Sequence, residues 1–266
     1  MPVLIRNLLQ FINHLKQCKM KTKVLFAVFM LFAATAIGQN KTLLAPDHIG
    51  EVKVTPPEFA GLKVTNTVSD LSLINSYLLE NVYFPENAAN YSPQGTEVVL
   101  FTVTADGNVQ DFKIINSISR EIDEEIIRVL QTTNGMWKPG YNNNQPVAMP
   151  QEVSMMFCRE EQEKSVTEIF TEYATVSFGK GTKALFEKHN VNKALRCFSD
   201  GITYLPYDKS LLLMRGICRY EIGDKDGAME DWNRLNALGD NIDMSNYAEL
   251  IQGMTGYDEL MAVLKK

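Results

Sequence analysis

The stretch GTEVVLFTVTADGNVQDFKII, residues 95–115, decides the fold. From Glu97 to Thr104 it alternates, so that Val98, Leu100 and Thr102 point one way and Val99, Phe101 and Val103 the other. That period of two is the mark of a strand with distinct faces. Ala105-Asp106-Gly107-Asn108 then supplies a turn, and the alternation resumes from Val109 to Ile115. An Asp-Gly pair between two such runs is a strong hairpin signal, because glycine adopts the positive φ that a tight turn needs.

On the N-terminal side, Leu71, Ile74, Leu78 and Val82 recur at steps of three and four. The spacing predicts a helix with one apolar stripe, starting near Asp70 and Ser72 and ending at Tyr83-Phe84-Pro85. On the C-terminal side, Ser119 opens a second helix whose buried stripe is Ile122, Ile126, Val129 and Leu130. Glu121, Asp123, Glu124 and Glu125 lie off that stripe and near a helix N-terminus, where the macrodipole favours acids. They therefore read as structural and not as catalytic carboxylates. Trp137-Lys138-Pro139-Gly140 breaks the chain, Tyr141 to Gln145 reads as a polar loop, and Pro146 to Phe157 as a last strand. Helix, two strands, helix, strand is an α+β domain over 68–159 with one antiparallel sheet covered on one face. Ahead of it, 39–67 carries Pro46, Pro56 and Pro57 without periodicity and reads as a linker or extended arm.

From residue 160 to 266 the pattern is helical and repeats with a period of 34. Ala194, Phe198 and Pro206 recur as Ala228, Trp232 and Asp240, and the offset carries on to Ala262. Gly216, Gly223-Asp224, Ala228 and Trp232 in one copy, and Phe178, Leu185, Ala194 and Phe198 in the other, sit at tetratricopeptide spacing. Such repeats bury their faces only by stacking. Gly179-Lys180-Gly181-Thr182-Lys183 lacks the spacing and the preceding strand of a phosphate-binding loop.

Residues 1–38 read as an export signal. Lys16, Lys19, Lys21 and Lys23 precede an apolar run from Val24 to Ile37, and Ala36-Ile37-Gly38 offers small residues for cleavage before Gln39. Met20 is a better start for such a signal than Met1. The rival reading keeps Val24–Ile37 as an anchor, although that run is shorter than the roughly 20 apolar residues a bilayer requires. Cleavage leaves Cys158, Cys197 and Cys218, an odd number whose pairing stays open, with Cys197 and Cys218 read as small buried hydrophobes. His48 and His189 have no second ligand at metal spacing. With a net charge of −6 and no basic cluster, nothing suggests a nucleic-acid partner. No cofactor, metal, small-molecule substrate or nucleophile–base pair is expected, so the chain reads as non-enzymatic.

Taken together, these motifs resemble the TonB C-terminal domain family. The family-like positions are Tyr83 and Pro85, with Ala88, then Gly95 at the head of the first strand and Gly107 in the hairpin turn. Asp123 in the second helix, Trp137, Pro139 and Gly140, and Pro146 complete them. The resemblance implies a periplasmic binding domain that takes an extended segment of an outer-membrane TonB-dependent receptor as a strand beside its last β-strand. The matching edge is Glu152, Val153, Ser154, Met155, Met156 and Phe157. A homodimer through that edge is an alternative use of it. The whole protein could instead be a membrane-anchored energy transducer, if Val24–Ile37 stays, or a helical-repeat scaffold.

Overall fold

The computed structural model describes residues 53–61, 70–83, 93–158, 165–239 and 251–264. The export signal, Pro46, His48, Phe84, Pro85, Ala88 and Asp240 lie outside the described residues. Two compact units emerge: 53–178 with 199–206, and 179–198 with 207–264.

The first unit is α+β. Its main sheet has β3 (Gly95–Val103) in the centre, with β4 (Val109–Asn116) on one side and β8 (Met149–Phe157) on the other, all antiparallel. Helices α1 (Asp70–Asn81) and α2 (Arg120–Gln131) cover one face. Alternation puts Val99, Phe101 and Val103 of β3 and Val153 and Phe157 of β8 against Ile74 and Leu78 of α1 and Ile122, Ile126, Val129 and Leu130 of α2. Ser119 caps α2 by accepting the Ile122 N–H, as its position before the acidic first turn predicts. The acids of α2 are engaged structurally: Ser117 donates to Asp123, Arg120 pairs with Glu124, and Glu125 holds Arg128 and the Tyr83 N–H.

Two differences from the sequence reading have local causes. Residues 53–61 form strands β1 (Val54–Thr55) and β2 (Glu58–Phe59), which pair with β6 (Gly140–Asn142) and β5 (Trp137–Lys138). Phe59 is buried, with its ring 5.1 Å from Trp137 and 5.5 Å from Tyr77, so this arm contributes to the core. The expected loop at Tyr141–Gln145 is the tip of a second hairpin, β6 with β7 (Gln145–Val147). Asn143 and Asn144 turn it at φ 49° and 63°, a left-handed conformation that asparagine tolerates better than most residues. The strand expected from Pro146 to Phe157 is accordingly two strands, β7 and β8.

The sheet meets a helix end on its other face as well. Helix α3 (Val166–Thr182) is followed by a π-helical turn at Lys183–Glu187 and by α4 (Val191–Tyr204). The last carbonyls of α4 have no partner within their own helix. Asn116 Nδ2 donates to Ile202 O at 3.2 Å and Thr203 O at 3.3 Å while also bonding Thr96 O at 2.7 Å. Thr96 Oγ1 donates to Tyr204 O at 2.8 Å. A Cβ on Gly95 would lie 2.7 Å from Thr203 O, so only glycine lets the helix end approach this closely.

The second unit is helical, with α5 (Lys209–Glu221), α6 (Lys225–Ala237) and α7 (Tyr257–Leu264). Asp208 and Asp224 cap α5 and α6. Gly216 of α5 lies against the Trp232 ring of α6, where a Cβ would come within 2.2 Å of the indole nitrogen. In the same unit Gly181 lies against the Phe198 ring. Gly181 precedes Phe198 by 17 positions and Gly216 precedes Trp232 by 16. The π-helical turn, closed by the Lys188 N–H to Lys183 O bond, takes up the extra residue and keeps the glycine facing the ring. Asp231 is buried and accepts from Arg215 at 2.9 and 2.6 Å and pairs with Arg219 at 3.1 Å. Cys158, Cys197 and Cys218 are unpaired, and burial pushes the Cys218 thiol up to about 12.

Two stability measurements check these contacts. Asn116→Ala leaves buried helix-end carbonyls unsatisfied and is expected to cost about 1–3 kcal/mol in urea unfolding. Gly216→Val, forced into the Trp232 ring, is expected to cost about 2–4 kcal/mol in the transition that reports the helical unit.

Candidate docking edge on strand β8

Strand β8 pairs with β3 without interruption from Met149↔Val103 to Phe157↔Gly95. Residues opposite one another in an antiparallel pair share a face, so Val153, Met155 and Phe157 face the core with α1 and α2, and Glu152, Ser154 and Met156 face the other way. The strand's backbone polarity follows from two observations. Pro150 stands opposite Thr102 and has no N–H, so that pair is of the non-hydrogen-bonded type. The carbonyl of Thr96 is taken by Asn116 of β4, so even-numbered residues of β3 turn their backbones away from β8. The N–H and C=O groups of Glu152, Ser154 and Met156 therefore point outward, past the edge. Among the described residues, β8 has no strand partner there.

The opposite edge is built differently. The β3–β4 register shifts between Val98 and Val99 and again between Leu100 and Thr102, and Asp111 sits at φ 55°. Such bulges bend a strand and interrupt its row of outward groups, which blunts an edge against pairing. One edge of this sheet is regular and the other is not.

Of the family-like positions, Gly107, Trp137, Gly140 and Asp123 make structural contacts. Gly107, at φ 80°, packs so closely that a Cβ would be 2.2 Å from Trp137 O. Trp137 fills the core beside Phe59 and Phe101 and donates its indole N–H to Thr133 Oγ1 at 3.0 Å. Gly140 leaves room for Met149, while Pro139 is half-buried and Pro146 exposed. Asp123 is held by Ser117, and Tyr83 is 73% exposed. None of these residues belongs to β8 itself.

Glu97 is a residue that alternation alone could not flag. It points to the core face of β3, is 1% exposed, and accepts the Ile118 N–H at 3.0 Å through Oε2. Its Oε1 is buried without a hydrogen-bond partner. Burial first, and the neighbouring Asp123 charge second, push its carboxyl from 4.5 to about 8. The only sequence signal is an acid inside an otherwise apolar strand.

Residues 80–158 match the family model described as the Gram-negative bacterial TonB protein C-terminal, which makes this part of the chain a TonB C-terminal-type domain. Among solved structures, the chain is similar to an NMR solution structure of the Helicobacter pylori TonB C-terminal domain. The match has 18% identity and a TM-score of 0.28, and covers 35% of this chain and 100% of that one. A comparison with curated protein sequences gives no match. Among the described residues, no helix is long and apolar enough to cross a membrane, and no cluster of His, Cys, Asp and Glu could hold a metal ion.

The Glu97 carboxyl makes stability depend on pH. The folded state holds its proton more tightly than the unfolded chain does, so this contribution is fully present below pH 4.5 and lost as pH rises through about 8. Glu97→Gln is expected to flatten the fall in denaturant midpoint between pH 6 and 9. Relative to the parent, its gain at pH 9 should be on the order of 3–4 kcal/mol.

Proposed function

We propose that this chain is a non-enzymatic, periplasmic protein-binding component that recognises an extended segment of an envelope partner by adding it as a strand to β8. The observation that carries the reading is the nine-residue β8, with its uninterrupted register and outward backbone groups at Glu152, Ser154 and Met156. Strand addition draws affinity from main-chain hydrogen bonds and needs no unusual side chain. The TonB-type domain favours an outer-membrane receptor as the partner. The helices beyond it are read as tetratricopeptide-like repeats that offer a second interaction surface. Support for that comes from the Gly181–Phe198 and Gly216–Trp232 contacts and from Ala194 and Ala228, both 0% exposed.

Export rests on Val24–Ile37 and the small residues after it. N-terminal sequencing of the protein from cells reads Gln39 first if the segment is removed; a retained segment favours the membrane-anchored transducer instead.

The docking test uses the edge's own geometry. Proline at position 154 removes an outward N–H and is compatible with an edge strand, so Ser154→Pro is expected to keep its melting temperature within about 3 °C. Recovery of an outer-membrane receptor from envelope extracts is expected to fall by about tenfold or more. Val153→Pro removes a bond to β3 and is expected to lower the melting temperature instead. Undiminished recovery by Ser154→Pro would sink docking at β8. Loss of partner with Gly216→Val alone would favour the helical scaffold.

A further inference from the structure

Glu97 is the only acid in β3, and alternation places it on the covered face with Val99, Phe101 and Val103. Its two oxygens are treated differently. Oε2 accepts the N–H of Ile118, in the connection between β4 and α2, at 3.0 Å. Oε1 is buried without a partner. The neighbour able to share a hydrogen with this carboxyl is Asp123, in the first turn of α2. Two ionised carboxylates cannot satisfy one another, because both only accept. Asp123 is already engaged as an acceptor, with Ser117 Oγ 2.8 Å from Oδ1 and 3.0 Å from Oδ2. A hydrogen on Glu97 answers both needs, because a protonated carboxyl donates from one oxygen and accepts on the other.

The surroundings supply no counter-charge. From β8, Met155 stands opposite Glu97, and from the β4–α2 connection come Ser117 and Ile118. Lys113 of β4 and Glu152 of β8 stand opposite Leu100 and so lie on the other face of the sheet. On α2, Arg120 pairs with Glu124 at the surface, and Glu121 is exposed. Among the described residues, the charged group that faces Glu97 is Asp123.

We propose that Glu97 and Asp123 form a latch that works by sharing one proton. With Glu97 protonated, Oε1–H donates to Asp123 and Oε2 accepts from Ile118, which fastens the β4–α2 connection and the first turn of α2 to the central strand. When the proton leaves to solvent, the two carboxylates repel and Oε1 becomes a buried charge without a donor, so the connection over 117–119 opens to water. The cap of α2 is made by Ser119 on the Ile122 N–H, so the connection can lift while the helix stays formed. An opened connection exposes Glu97 as an ordinary carboxyl, with a value of 4.5, whereas the closed one holds the proton up to about 8. Opening between those values releases a proton, and the connection is held less firmly as pH rises from 6 to 8.

The test is hydrogen exchange of the full chain, read by mass spectrometry on peptides covering 117–122 and, for reference, 98–103, at pH 6, 7, 8 and 9 with intrinsic rates divided out. Folding of each variant is checked by circular dichroism at pH 6. In the parent, protection of 117–122 is expected to lie below that of 98–103 throughout. It is expected to fall by up to about tenfold per pH unit between 6 and 8 and then level off. The amide in Glu97→Gln donates and accepts where the protonated carboxyl did, so its protection is expected to stay flat within about twofold over the whole range. Asp123→Asn sets a donor against the ionised Glu97 and is expected to shrink the fall by about threefold or more. A flat parent profile, or a fall undiminished in Glu97→Gln, overturns the proposal. A fall as steep in Asp123→Asn as in the parent means that Glu97 ionises without Asp123, and overturns the pair. Exchange of 117–122 and 98–103 in step at every pH makes the opening global and overturns the latch.

Discussion

The contact on which the sheet unit depends is the one between the end of α4 and the side chains of Asn116 and Thr96. Helix-end carbonyls are a liability when they are turned toward protein, because each needs a donor that the helix cannot supply. Here one amide and one hydroxyl from the sheet provide those donors, and Gly95 provides the clearance. With α1 and α2 on one face and this helix end on the other, β3 lies between covered faces, and Val98 and Val99 on its two sides are both fully buried. What the sheet can still offer a partner is an edge.

The edge in turn is governed by proline chemistry. Pro150 has no hydrogen to donate, so it can only sit where its nitrogen faces away from β3, and that fixes the direction of every other backbone group along the strand. For a strand added there, specificity would pass to the side chains around the edge, because main-chain groups are alike in all polypeptides.

Much of this was legible in the sequence where the signal is local. The Asp106-Gly107 hairpin and the apolar stripes of α1 and α2 are short-range patterns, and the structure follows them. The second hairpin was not legible, because Asn143-Asn144 lacks the glycine that marks such turns and its strands are only three residues each. Phe59 gave no periodic signal from a strand of two residues. Asn116 and Thr96 could not be singled out, since their partners lie 86 to 108 positions away. In the helical unit the 34-residue offsets from Ala194 to Ala228 and from Phe198 to Trp232 can be read in the sequence, but the Gly181 contact was masked by the additional residue that the π-helical turn absorbs. At the candidate edge, the strand could be located from sequence, while its outward groups required knowledge of which residue stands opposite which.

The bulged β4 strand has a consequence for assembly. A sheet with two regular edges can join head to tail, one molecule's first edge to the next one's second, and such heterologous contacts grow into open filaments. Asp111 and the two register shifts remove one of the complementary ends. Association of copies through the remaining edge alone therefore stops after a single event, which keeps an exposed strand from seeding a fibre.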